Sequence, residues 1–265
     1  MTEPERPAAA TETGDPPGEA EIVISVKDLT MGWGDTILQK DANFEVCRGD
    51  IFAILGGSGC GKSTLLRYLI GLEEPMSGEV DVAGIGKPSL EVGYPPFGVM
   101  FQSGALFGSL SVGENVLLPL TQWTTLPPGA AAAVMRSKLR LVGLTGAETK
   151  KPSEISGGMK KRAAIARALA LEPSLLFLDE PSAGLDPVSA VELDELILTL
   201  NRTLGLTVVI VTHELASIFK IVKRCIMLDK ESQTIIARGD PRKLRDESDD
   251  PRDTQFFRRE TGDAA

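Results

Sequence analysis

The chain has one histidine among 265 residues, His213. It has three cysteines, Cys47, Cys60 and Cys225, an odd number with no two at a metal-ligand spacing. A disulfide framework and a zinc site are therefore not expected, and the thiols read as reduced, as in a cytosolic protein. Cationic excess is also missing. Lys and Arg number 28 against 37 Asp and Glu, a net charge of −9. That argues against a face built for nucleic acid, which needs a basic surface, but leaves room for one small basic pocket. No apolar run approaches the roughly 20 residues that span a bilayer. The N-terminus lacks a basic-then-apolar leader pattern. Any membrane role is thus expected to pass through a partner. The solitary His213 directly follows an apolar run in "VVIVTHELAS", and its retention there asks for an explanation.

The size and the composition, 42% hydrophobic and 25% charged, suit a globular α/β domain with a full core. Residues 1–21, rich in Pro, Ala and acids, carry too few large apolar groups to offset their ordering entropy and read as a disordered acidic tail. Two alternating stretches, "IVISVKDLTMGW" and "GDTILQKDANFEV", read as half-buried antiparallel strands. The runs "IFAIL", "SLLFLDE", "TVVIVTH" and "RCIMLDK" are apolar and end in glycine or polar residues. Helix-like stretches separate them, which predicts strands buried on both faces of a parallel sheet. Residues from about 95 to 170 break the rhythm and read as an inserted, mostly helical subdomain, with "PPGAAAAVMRSKLRLVGL" and "MKKRAAIARALAL" as its clearest helices. Residues 241–265 form a charged, proline-containing C-terminal extension with one apolar pair, Phe256 and Phe257.

Three motifs carry chemistry. "GGSGCGKST", Gly56, Gly57, Ser58, Gly59, Cys60, Gly61, Lys62, Ser63 and Thr64, follows an apolar strand and opens a helix. Glycines let backbone N–H groups converge on phosphate without a Cβ in the way. The helix N-terminus adds about half a positive charge. Lys62 can reach the β- and γ-phosphates and Ser63 can ligate Mg²⁺. Cys60 reads as a small filler. "LLFLDEPSAGLDP" ends a strand in Asp179, suited to Mg²⁺ through its water shell, and Glu180, suited to orienting or deprotonating an attacking water. "EISGGMKKRAAIARALA" sets Ser156, Gly157 and Gly158 at a second helix N-terminus able to accept an anion.

Together these motifs resemble the ATP-binding-cassette ATPases over residues 22–240. The resemblance implies ATP and Mg²⁺ as cofactors. It implies a P-loop NTPase fold, a parallel-sheet RecA-like core with an antiparallel β subdomain and the inserted helical subdomain. By resemblance Gln102 in "MFQSG" is the Q-loop glutamine, near metal and water, and Ser156–Gly158 the signature. Asp179 and Glu180 are then the Walker B pair, Asp186 closes the D-loop, and Trp33 is the aromatic that stacks on adenine. His213 becomes the switch histidine, which answers the question it posed: an imidazole at the strand end that bonds the γ-phosphate and the water near Glu180. Family members work as head-to-tail homodimers, so one subunit's Ser156–Gly158 is expected to close on the phosphate held by the other's cradle.

Met159 stands where the wider family usually has Gln. "SGGMKKRAAIARAL" and "FQSGALFGSLSVGENV" are similar to the MlaF-type branch, which powers bacterial phospholipid transport between inner and outer membranes. The implied partners are an MlaE-like integral-membrane permease, an MlaD-like MCE-domain lipid carrier and, in some members, an MlaB-like STAS-domain subunit. The implied location is the cytoplasmic face of the inner membrane, held there by the permease. Leu106, Phe107 and Leu110 suggest an apolar cleft for a coupling helix, with core filling as the equal alternative. Phe256 and Phe257 are expected to clasp a second subunit. A small-solute importer ATPase for amino acids or phosphate shares every nucleotide motif and stays open, as, more remotely, does a soluble ATPase acting on ribosomes or DNA.

Overall fold

The computed structural model describes residues 21–83, 86–87, 96–248, 252 and 256–257. The acidic tail, apart from its last residue, lies outside them. Two strands, β1 (Ile22–Trp33) and β2 (Thr36–Cys47), form the expected antiparallel pair. They are followed by β3 (Ile51–Gly56), α1 (Lys62–Leu69) and β4 (Ser77–Val82). β4 pairs antiparallel with the other edge of β1, giving a three-stranded sheet ordered β2-β1-β4.

The second sheet holds β3 together with β5 (Phe97–Met100), β6 (Leu175–Asp179), β7 (Thr207–Val211), β8 (Arg224–Leu228) and β9 (Ile235–Gly239). Its order is β5-β6-β7-β3-β8-β9. The first five strands in this order run parallel, and β9 runs antiparallel to β8. The helical subdomain was expected to begin near residue 95. β5 corrects this: Phe97–Met100 belongs to the sheet, where it pairs with β6, and the helices begin only at α2 (Val112–Trp123). They continue with α3 (Pro128–Leu141) and α4 (Gly157–Ala168). After β6 come α5 (Pro187–Leu204), α6 (Leu215–Ile221) and α7 (Pro241–Glu247).

Every residue of β3, β6 and β7 is buried, because both faces of the sheet are covered. The pleat sorts them into two cores. Ala53, Leu55, Leu176, Leu178, Val208 and Ile210 face the helices. Phe52, Ile54, Phe177, Val209 and Val211 face α1 and the antiparallel sheet. Burying a side chain such as Phe177 contributes about 2–3 kcal/mol. Helix ends are set locally. Ser111 and Glu114 form a capping box that starts α2. Asp186 caps α5, Pro187 sits at its first position, and Gly205 at φ 64° ends it.

The C-terminal aromatic pair packs on its own chain. Phe257 is only 2% exposed and its ring lies tilted at 44°, 6.0 Å from that of Phe219 of α6, with Phe256 packed edge-on at 5.2 Å. These rings cover α6 of the same chain.

Candidate functional site

Strand direction and register assemble the site. The parallel strands all end at one edge of the sheet, where the βα loops meet. Met100 pairs with Leu178, so two residues further on Gln102 and Glu180 lie side by side. Asp179 and Ile54 both pair with Val211, so the loop after β3 and the acidic pair flank the segment leading to His213.

The loop after β3 is a concave turn. Gly56 has φ 142°, and a Cβ there would meet Leu228 O at 2.4 Å and Cys60 Sγ at 2.6 Å. Gly57 and Gly59 have open space where a Cβ would stand. Ser58 is exposed with them, while Cys60 is buried, its thiol pushed up by burial, in keeping with a filler role. Lys62 Nζ donates to Gly56 O and Gly57 O, each at 2.9 Å, which holds a cation inside the turn. Gly61 at φ 101° starts α1 without any side-chain cap. By contrast α2, α4 and α5 are capped by Ser111, Ser156 and Asp186. The first-turn amides of α1 and the Lys62 ammonium thus form a donor set suited to phosphate oxygens. Thr64, half-buried, opens α1 behind Ser63.

Ser63 Oγ donates to Asp179 Oδ1 at 3.3 Å. Burial pushes the Asp179 carboxyl up, and the Ser63 bond pulls the other way, followed by repulsion from Glu180 and attraction from Lys161 and Lys62. A hydroxyl beside a carboxylate next to a phosphate-shaped turn fits Mg²⁺, a hard cation that takes oxygen ligands. Glu180 is buried and sits at φ 46°, its N–H bonded to Val211 O at 2.8 Å. Its Oε1 lies 2.8 Å from His213 Nδ1, and its buried Oε2 has no partner among the described residues. A left-handed non-glycine residue at this point swings its carboxylate away from the strand axis. Gln102 is exposed beside it.

Trp33 ends β1, 52% exposed, with Nε1 donating to Glu73 Oε2 at 3.2 Å. An anchored, half-open indole suits stacking on a planar base. Ser156 caps α4 by accepting from Met159 N at 3.2 Å. A Cβ on Gly157 or Gly158 would stand 3.5 Å from Leu185 or Ser189, so this corner packs on the turn that Asp186 caps. Asp186 accepts from Val188 N and Ser189 N, and the Ser189 hydroxyl bond foremost holds its carboxyl below the usual range.

Three participants carried no signal strong enough to be picked out of the sequence. Gln39, fully buried on β2, donates to Cys60 O and Asp229 O and ties the phosphate turn to the end of β8. Glu73 holds Trp33. Lys161, buried on α4, donates to Gln102 O at 2.5 Å and Glu180 O at 3.1 Å. The traceable sign for Lys161 was its place on the same helix face as Ala164 and Ile165, and for Gln39 an amide at an inward strand position.

Comparisons with known proteins give the family. The ABC transporter family model matches residues 39–183. The chain is 38% identical over 244 residues to the intermembrane phospholipid transport system ATP-binding protein MlaF of Haemophilus influenzae, covering 90% of this chain and 91% of that one. It is also 38% identical over 242 residues to the probable ribonucleotide transport ATP-binding protein mkl of Mycobacterium leprae, covering 89% and 69%. Among solved structures, CbiO1 of Clostridium perfringens, part of the cbiONQ transporter complex, superposes with a TM-score of 0.77 at 30% identity, covering 86% of this chain and 92% of that one. The dimeric post-hydrolysis form of the ATP-binding cassette MJ0796, bound to ADP and Pi, gives 0.72 at 28% identity, covering 82% and 98%. The chain belongs to the ABC transporter family and is one of its ATP-binding, ATP-hydrolysing subunits.

Proposed function

We propose that this ATPase drives phospholipid transport between the inner and outer membranes of a bacterium, working as a homodimer beneath an MlaE-like permease on the cytoplasmic face of the inner membrane. One observation carries the reading: the match to MlaF runs the length of both proteins, 90% of this chain and 91% of the relative. The mkl relative is equally similar where it aligns, but this chain spans only 69% of it. No helix among the described residues is long and apolar enough to cross a membrane, so attachment falls to a partner. An MlaD-like MCE-domain carrier and an MlaB-like STAS-domain subunit complete the complex.

In this reading Trp33 stacks on adenine, and the Gly56–Thr64 turn binds the phosphates. Ser63 and Asp179, with Gln102 alongside, would hold Mg²⁺, which would supply charge neutralisation at the phosphates. Glu180 Oε2, buried and unpartnered, faces the attacking water, while His213 fixes the other carboxylate oxygen. Positioning and charge stabilisation are most of what phosphoryl transfer asks of a protein. One protomer's Ser156–Gly158 corner closes on the nucleotide in the other's cradle; the dimeric state of the MJ0796 cassette with ADP and Pi supports a two-protomer assembly. Closure is passed to the permease through a groove of about 580 Å³ beside the Gln102 segment, lined by Phe97, Phe101, Phe107, Leu118 and Trp123 among others. Phe107 and Trp123, 57% and 44% exposed, present an apolar surface to a short helix of the permease. Leu106 packs against the helical core instead.

The test is to purify the chain with its membrane partner and identify what copurifies, then measure ATP-dependent transfer between vesicles. Bound phospholipid and ATP-driven phospholipid transfer are expected. A complex that carries no lipid and moves ribonucleotides or small solutes instead would overturn the lipid reading while leaving the ATPase intact.

A further inference from the structure

α4 does two things at once. Its N-terminus is the Ser156–Gly158 corner, and one turn further on it sends the Lys161 side chain inward. Lys161 is 8% exposed, and its ammonium donates to Gln102 O at 2.5 Å and to Glu180 O at 3.1 Å. Both acceptors are backbone carbonyls, so Lys161 takes up neither side chain: Gln102 stays exposed, and the Glu180 carboxylate keeps its contact with His213. The same helix grips the loop again through Arg167, which donates to Gly104 O at 3.0 Å and Ala105 O at 2.7 Å. Glu180 needs such support. A left-handed non-glycine residue persists only where its surroundings over-determine it. Here its N–H is tied to Val211 O, and its carbonyl is shared by Lys161 and the Ala183 N–H.

We infer that Lys161 is a positioning residue for hydrolysis, a cationic tie that sets Gln102 and Glu180 relative to each other and makes that setting depend on α4. The inference rests on the ATPase reading above and adds a residue that touches no nucleotide. Because α4 is one rigid helix, a tilt imposed on its Ser156–Gly158 end moves the tie. Nucleotide contact at one site is thereby linked to the water-orienting carboxylate of the same protomer's own site. The two carbonyls lie on loops that follow different strands, β5 and β6, and their register alone brings them adjacent without fixing how the loops turn beyond the sheet. The charge suits the task, since an ammonium offers three donors and can satisfy two carbonyls at once.

The test uses the full chain, with Lys161→Met removing the donors and Lys161→Arg restoring them. Three quantities are read: ATP turnover, affinity for a fluorescent ATP analogue, and amide exchange over residues 101–105. A misplacement of about 1 Å costs about 10²-fold in rate. Lys161→Met is therefore expected to lower kcat by about 30- to 100-fold. KM and analogue affinity should stay within about threefold of native, which separates positioning from binding. Exchange over 101–105 should quicken, and Lys161→Arg should recover a large part of the lost rate. Native turnover in Lys161→Met, a parallel loss of affinity, or no recovery with Arg would each overturn the inference. If Lys161→Met fails to fold, Lys161→Leu, which also lacks a donor, takes its place, with the same three measurements and the same results expected. Absence of turnover in the native chain would instead count against the ATPase reading, and the exchange comparison would still decide whether the tie exists.

Discussion

Replacing His213 with Ala removes one side chain that is 59% exposed and has one close partner, Glu180 Oε1 at 2.8 Å. Stability and rate should respond differently. A hydrogen bond to a charged group contributes about 1.5–3 kcal/mol when shielded from water. At this exposure solvent screening reduces the effect to about 1 kcal/mol or less. For a chain of this size that is a fall in melting temperature of about 2–4 °C. The kinetic effect is larger, because among the described residues His213 is the one side chain bonded to the Glu180 carboxylate, whose second oxygen has no partner there. Without the imidazole the carboxylate can rotate away from the water it serves. General-base assistance is worth about 10²–10⁴ in rate, and losing its alignment should forfeit about 10² of that. ATP affinity should survive, since the phosphate turn and Trp33 keep their own hydrogen bonds in this variant. The assay is steady-state ATP turnover in the assembled complex, alongside nucleotide binding and a melting curve. Turnover within about threefold of native would refute the role given to His213, and so would a rate loss accompanied by an equal loss of binding.

Two glycines of the phosphate turn should separate fold from ligand. Gly56→Ala places a Cβ 2.4 Å from Leu228 O at φ 142° and should destabilise by about 2–5 kcal/mol, seen as loss of soluble protein or a much lower denaturation midpoint. Gly57→Ala meets no protein atom and should fold with near-native stability, yet weaken ATP binding measured by titration, because its methyl enters the concave face. Asp194 is buried between α5 and α6, where burial raises its carboxyl above the ordinary 3.8 despite the Ser217 hydroxyl bond. The folded state therefore holds this proton more tightly than the unfolded state. Stability from this group falls as pH rises from 3.8 through the raised value and is flat above it. In urea titrations across pH, Asp194→Asn should remove that component and equal or exceed native stability near pH 7; an unchanged pH slope would contradict the assignment.

The sequence announced those parts of the fold that are locally determined. β3, β6 and β7 are legible because strands covered on both faces must be apolar throughout. β4 and β5 are not. "SGEVDV" is mostly exposed and acidic, so only its pairing with β1 makes it a strand. "FGVM" is four residues long and contains Gly98, where an added Cβ would stand 2.3 Å from Ala168 O. No periodicity can be read from so short a run, and its place in the sheet comes from contact with β6 and α4 at a distance in sequence. The phosphate turn and the acidic pair were legible because their chemistry is carried by neighbouring residues. Lys161 was hidden because a lysine on a helix ordinarily reads as solvated, and only folding brings its ammonium to two carbonyls 59 and 19 residues away. Phe256 and Phe257 follow the same rule: an apolar pair in a charged tail signals burial but does not say against which surface.

The most direct measurement is the structure of the Glu180→Gln protein with ATP and Mg²⁺, since that change should stop hydrolysis while leaving binding in place. The expected result is a closed dimer with two nucleotides, each between the Gly56–Thr64 turn of one protomer and the Ser156–Gly158 corner of the other. A monomer binding ATP alone, or a dimer whose Ser156–Gly158 corners stand away from the nucleotides, would contradict the account.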